Sequence, residues 1–164
     1  MELEINKINI TEENAAEHAA LLAELIALSA EWASEGSCAG YYPNDASEYF
    51  DKELYIASAD GKTVGYALGH IKVLEEKTSY NAVGEKAFEL DELFVTAAFR
   101  GQGIARALFR FAENDVRGRV DVIGLTAATK HYKQLLKLYI EELGMSFNHA
   151  LLVKRTERVG AGSK

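Results

Sequence analysis

The string Phe94-Val95-Thr96-Ala97-Ala98-Phe99-Arg100-Gly101-Gln102-Gly103-Ile104-Ala105 reads as a strand, a short loop holding two glycines, and a helix that opens at once. At such a junction the first backbone N–H groups lack intrahelical partners and the helix dipole adds partial positive charge, so main chain alone can hold a pyrophosphate. Glycine lets a phosphate approach where a Cβ would collide. Ile104, Ala107, Leu108, Phe111 and Ala112 recur at helical spacing, which seats the helix on the core and turns Arg106, Arg110 and Arg117 outward. Two other phosphate motifs fail on the same letters. A P-loop needs Lys-Ser/Thr after its second glycine, and a dinucleotide fingerprint needs Gly or Ala where this chain has Arg106. An ordinary strand-to-helix turn, its glycines serving backbone geometry alone, is the competing account.

Other chemistries find less support. His18, His70, His131 and His149 show no ligand spacing with one another or with Cys38, so no metal site is expected. There is no Gly-x-Ser-x-Gly elbow, and Cys38 has no recognisable partner, so a covalent acyl-enzyme has no visible nucleophile. The charge balance of 18 Lys plus Arg against 25 Asp plus Glu, 18 − 25 = −7, disfavours nucleic acid and acidic membranes and favours cationic partners. The longest apolar stretch, Ala19 to Ala30, is interrupted by Glu24 and is too short for a membrane span. One cysteine and no signal-peptide pattern fit a reducing cytoplasm.

The elements that must position the loop follow from periodicity. With 164 residues, 48% of them apolar, the chain fits one domain over residues 1–157, and 158–164 is expected to be a disordered tail. Leu3 to Ile10 alternates with a phase shift, predicting a first strand with a bulge or kink. Thr11 reads as an N-cap for a long amphipathic helix with Leu21, Leu25, Leu28 and Trp32 on one stripe, ended near Gly36. A short helical segment, 46–52, capped by Asp45, precedes a hairpin of strands 54–59 and 63–74 turning at Asp60-Gly61. Next come a strand over 87–96, a helix over 102–117, a strand over 120–126, a helix over 130–143 and a last strand over 148–155. A hairpin meander followed by a βαβ unit predicts an α/β (α+β) fold with a mixed, mostly antiparallel sheet of about six or seven strands and helices on both faces.

Arg100-x-x-Gly103-x-Ala105 after Leu93-Phe94-Val95 resembles the acetyl-CoA-binding motif of the GNAT superfamily of N-acetyltransferases, Gln/Arg-x-x-Gly-x-Gly/Ala. The resemblance implies a GNAT-like fold and acetyl-CoA as acyl donor. It implies that the N–H groups of Gln102, Gly103, Ile104 and Ala105, in the loop Arg100-Gly101-Gln102-Gly103, cradle the pyrophosphate. It implies too that the main chain of Phe94 and Val95 pairs with the pantetheine arm like an added strand. An alkylamine with pKa near ~10.4 is almost wholly protonated at pH 7, a gap of ~4–5 kcal/mol that a base or a lowered substrate pKa must supply. Family members often carry that base where this chain has Asp91 and Glu92, with Glu89 a third choice. Alternation sends the first two to opposite faces, so at most one faces the cleft unless the strand bulges. A rim carboxylate that only solvates the strand end is the bland alternative.

The family's tyrosine acid, four residues before a glycine, corresponds to Tyr139, which stands five before Gly144. One extra residue turns a side chain by about 100° around a helix. Tyr132, Leu135, Leu136, Tyr139, Ile140 and Leu143 also form an apolar stripe, so a packed core tyrosine is the rival reading. Direct transfer to a primary amine is expected, with a non-catalytic acyl-CoA-binding or regulatory domain as the alternative. From Glu31 to Glu53 one lysine faces six acids, 1 − 6 = −5, in the region bordering the acceptor side of GNAT clefts. This predicts a small-molecule amine acceptor of cationic or lysine-like type, with Trp32, Tyr41 and Tyr42 offering aromatic surface, and a solvated acidic helix face on an acidic protein is the competing account. A homodimer is compatible with the sequence.

Overall fold

A computed structural model of the protein describes residues 1–156; the expected tail at 158–164 lies outside them. Strand β1 (Leu3–Ile8) leads through a turn to helix α1 (Ala19–Ser34). Strands β2 (Glu53–Ala59), β3 (Lys62–Val73) and β4 (Lys86–Val95) follow, then helix α2 (Ile104–Val116), strand β5 (Val122–Gly124) and helix α3 (Tyr132–Leu136). The sheet order is β1-β2-β3-β4-β5, antiparallel except for the β4–β5 pair. Among the described residues no helix is long and apolar enough to cross a membrane.

The sheet is covered on both faces. On one, Tyr55, Ala67, Phe88, Leu90 and Val95 meet Leu108, Phe109 and Ala112 of α2. On the other, Leu54, Ile56, Tyr66, Leu68 and Phe94 meet Leu22, Leu25 and Leu28 of α1. That two-sided burial accounts for the phase shift read in the first strand. Leu3 and Ile5 pack toward α2, whereas Ile8 packs toward α1, and β1 runs in unbroken register with β2. The shift is a change of buried face, and no bulge exists there. Thr11 and Asn14 exchange hydrogen bonds, N–H of each to the side-chain oxygen of the other at 2.8 and 3.2 Å. They close a turn ahead of a 3-10 segment, Ala15–His18, so the α-helix begins later than a cap at Thr11 implies. Asp60 (φ 49°) and Gly61 (φ 78°) form the two-residue hairpin turn with both residues left-handed, as in a type I′ turn. Asp45 accepts the Ser47 N–H at 2.9 Å and caps a 3-10 turn, Ala46–Tyr49, in place of a longer helix.

Among the described residues the sheet has five strands rather than six or seven. The strand expected over 148–155 does not form: Leu151, Leu152 and Val153 are each more than four-fifths exposed. A strand needs an edge to pair with, and β5 contributes only three residues before the chain becomes irregular at Leu125. The β4–β5 ladder joins Ala87, Phe88 and Glu89 to Val122, Ile123 and Gly124 and then ends. From Leu90 to Val95, β4 keeps β3 on one side and opens a wedge on the other.

Candidate active site

The wedge leads to the glycine loop. Gly101 (φ 76°) and Gly103 (φ 80°) are both left-handed, and a Cβ built on either would meet no atom within 4 Å. Backbone geometry therefore selects glycine here while the space above stays open. The Arg100 N–H reaches Ala97 O at 3.4 Å, and the next bonded amide is Ala107, to Gly103 O at 3.0 Å. Among the described residues the N–H groups of 101 to 106 find no protein acceptor. They include those of Gln102, Gly103, Ile104 and Ala105, and they form a run of donors at the positive end of α2. Phe94 and Val95 are buried through their side chains, so any contact with a ligand would have to come through their main chain, of which Val95 O is already an acceptor. Arg100 is occupied otherwise. Its Nε donates to Val95 O at 2.8 Å, and its guanidinium pairs with Glu35 and lies 5.2 Å from the Phe94 ring centre.

The two candidate bases share one face of the sheet because β4 bulges. Leu68 pairs with Glu92 and Gly69 with Leu90, so Asp91 is the extra residue. A Cβ on Gly69 would collide with Glu89 O and the Phe88 ring, so only glycine allows the strands to close at this step. Both carboxylates consequently lie on the α1 side: Asp91 meets His70, and Glu92 meets Tyr66. Asp91 is an exposed residue, its Oδ2 2.8 Å from His70 Nδ1. Glu92 is enclosed. Its Oε2 accepts from Tyr66 Oη at 2.6 Å, from Asn44 Nδ2 at 2.9 Å and from Tyr41 Oη at 3.5 Å, whereas Oε1, among the described residues, accepts only from Asn44, at 3.0 Å. Burial pushes the Glu92 carboxyl above the usual carboxylate range, opposed by the Tyr66 and Asn44 hydrogen bonds, with Asp91 and Glu48 adding to the rise. Burial likewise holds Tyr66 above the ordinary phenol value and Tyr41 at about 12, so both remain donors at neutral pH.

Tyr139 sits on the opposite face of the sheet, 5% exposed and edge-on to Phe109 at 5.7 Å. Burial raises its phenol. The extra residue before Gly144 has a structural counterpart: residues Lys137–Glu142 form a π-helix, with Leu143 N–H on Leu138 O at 3.0 Å. A π-turn absorbs one residue more than an α-turn. Gly144 (φ 74°) then ends the helix, with Met145 N–H on Tyr139 O at 2.9 Å.

The acidic stretch is less available than its count implies. Glu31 accepts from Thr96 Oγ1 and from Ala97 N–H at 2.9 Å, Glu35 holds Arg100, Asp45 caps its turn, and Glu53 pairs with Lys7 and Arg119. Glu48 and Asp51 carry no ion pair among the described residues. Trp32 is half-buried, tilted against Tyr41 at 4.5 Å and stacked on Phe94 at 5.3 Å, while Tyr42 is 79% exposed. Beside Asp91, His70, Glu89 and Asp91 present donor atoms within 4.8 Å of one another. Within this cluster Glu89 lies 3.3 Å from His70 Nε2 and 2.6 Å from Lys72 Nζ.

Asn44, Tyr66 and Ser29, which hold Glu92 and its loop, carry no motif. Only an asparagine in an otherwise irregular loop hints at them.

No curated protein sequence matches the chain. Solved structures do. A ribosomal-protein-alanine N-acetyltransferase from Brucella melitensis biovar Abortus 2308 superposes with TM-score 0.65 at 22% identity, over 95% of this chain and 100% of that one. An aminoglycoside acetyltransferase from an uncultured soil metagenomic sample, in complex with sisomicin, gives 0.64 at 16% identity over 95% and 97%. A putative acetyl transferase from Pyrococcus furiosus gives 0.63 at 18% over 94% and 100%. These likenesses establish the fold. The profile of the Acetyltransferase (GNAT) family matches residues 20–145, and with the open wedge and the unpaired amides behind it, the chain belongs to the GNAT family and is an acetyltransferase.

Proposed function

We propose that the protein transfers an acetyl group from acetyl-CoA directly to a primary amine, with Glu92 as the base, on a cationic small molecule or lysine-like acceptor. The observation that carries this is the run of unpaired N–H groups from 101 to 106 at the end of a strand that also bears an enclosed carboxylate. The amides bind the pyrophosphate of CoA, and the pantetheine arm follows the open edge of β4 past Phe94 and Val95. The acceptor ammonium first gives a proton to Glu92 Oε1, directly or through one water, and the lone pair of the neutral nitrogen then forms the bond to the thioester carbon while the carbonyl electron pair moves to oxygen. Collapse of that intermediate breaks the C–S bond, and the second nitrogen proton passes through water to restore the phenol that protonates the thiolate, while Glu92 returns its own to solvent. Tyr139, kept protonated by burial, is assigned the proton that the departing thiolate takes.

Glu92 is preferred over Asp91 because burial raises it toward a useful base strength, whereas Asp91 is exposed and occupied by His70. The net charge of −7 and the unpaired Glu48 and Asp51 support a cationic acceptor. Release of free thiol from acetyl-CoA over a panel of polyamines, aminoglycosides, lysine-like amines and neutral amines tests the reading. Turnover is expected on cationic members, and Glu92→Gln should lower kcat by about 10²–10⁴-fold with CoA affinity unchanged. Thiol release from no amine, or a Glu92→Gln variant as fast as the native protein, would sink it.

A further inference from the structure

The base is held by a residue from a distant loop. Asn44 lies between α1 and β2 in chain order, 48 residues from Glu92, yet its single Nδ2 reaches Oε1 at 3.0 Å and Oε2 at 2.9 Å. The loop itself is anchored elsewhere: the Asn44 backbone N–H donates to Oγ of the fully buried Ser29 at 2.7 Å, and Ser29 Oγ lies 2.6 Å from Tyr41 Oη. Asn44 thus has two separable attachments. The backbone bond fixes the loop and survives any non-proline side-chain change, while the side-chain amide meets only Glu92 and, at 3.3 Å, Tyr49 Oη.

We propose that Asn44 is a positioning residue: its amide straddles the Glu92 carboxylate, fixing the rotamer in which Oε1, with Asn44 as its one donor, keeps a lone pair for the amine's proton, and keeping that carboxylate ionised inside its enclosure. This deepens the reading in which Glu92 is the base and rests on it. An ionised carboxylate out of water needs donors. Tyr66 supplies one to Oε2, but Oε1 has Asn44 alone. The other titratable groups around Glu92 are Tyr66 on β3, Tyr41 in the loop, Glu48 and Tyr49 on the 3-10 turn, and Asp91 beside it on β4. The tyrosines are held above neutral pH by burial, and Asp91 and Glu48 favour the protonated form of Glu92. Removing the amide therefore moves the Glu92 midpoint upward, and its isosteric replacement by a carboxylate moves it further.

The test is a ¹³C NMR titration of the full-length protein labelled at glutamate δ-carbons, with the Glu92 resonance identified by its loss in Glu92→Gln. The midpoint is expected to rise in Asn44→Ala and to rise more in Asn44→Asp. The acid limb of the kcat/KM profile should move the same way and kcat at pH 7 should fall about tenfold, while CoA affinity and Tm stay near native. Asn44→Gln, which retains the donor on a longer stem, should bring the midpoint back toward the native one. Midpoints unchanged in both Asn44→Ala and Asn44→Asp overturn the proposal. A midpoint that moves while the kinetic limb does not upholds Asn44's hold on the carboxylate, overturns its role in proton transfer, and marks Glu92 as the wrong base.

Discussion

Gly103 concentrates two requirements in one position. Its φ of 80° costs an L-residue about 1–2 kcal/mol, while the empty space where a Cβ would stand shows that no protein atom forbids a side chain. Strain and ligand clearance can therefore be separated. Gly103→Ala should lower Tm by about 3–6 °C, as that strain implies for a chain of this size. Gly103→Asn should fold nearly as well, since asparagine tolerates the left-handed region, yet it puts a side chain in the path of a phosphate approaching the amides. Calorimetric titration with CoA is expected to show both variants weakened at least about tenfold. Native-like affinity in Gly103→Asn would mean that the diphosphate lies elsewhere.

Glycines of this kind were legible in the sequence because a left-handed residue leaves a compositional mark; the Asp60-Gly61 turn is a second instance. Asn44 and Tyr66 left none, because their value lies in meeting Glu92 across 48 and 26 residues. The common face of Asp91 and Glu92 was legible only as a condition. Alternation required a bulge, and the bulge depends on a cross-strand collision at Gly69 that no local pattern encodes. The expected last strand over 148–155 failed in the opposite way: its residues suit a strand, but pairing needs an edge that the short β5 does not extend. The odd spacing at Tyr139 was visible as one residue too many, and the π-turn at Lys137–Glu142 is where it goes. If that turn absorbs the surplus, removing the exposed Glu141 should convert it to α-geometry and leave the packing of Tyr139 on Phe109 intact. Tm is then expected within about 4 °C of native, near 1 kcal/mol here, whereas deleting the exposed Arg110 from the regular turns of α2 should unfold the chain. Equal damage from both deletions would refute the assignment.

At the scale of the whole molecule, the far end of α2 is tied to the opposite sheet edge by one charged cluster. Lys7 of β1 lies 2.6 Å from Glu53 and 2.8 Å from Asp115, Arg119 bridges the same two acids at 3.0 and 2.7 Å, and the Tyr55 hydroxyl donates to Asp115 at 2.8 Å. Burial alone would raise both carboxyls, but Arg119 and Lys7 hold Glu53 below its ordinary value, and Lys7 and Tyr55 do the same for Asp115. A carboxyl whose folded value is depressed binds fewer protons folded than unfolded in the window between the two values. Its contribution is therefore complete above the ordinary carboxylate range, about pH 4–5, and is lost as pH falls through the depressed folded value. The groups are partly exposed, so the gain is modest, on the order of 1 kcal/mol for the Asp115 charge within this network. Asp115→Asn keeps an oxygen for Tyr55 and removes only that charge. Urea unfolding across pH should find the variant about 1 kcal/mol less stable at pH 7, with the difference closing as pH drops below 4 because the native protein loses what the variant never had. A gap that stayed constant down to pH 2 would mean that Asp115 acts through shape and not through charge, and that the end of α2 is held by packing of Val116 and Ala112 alone.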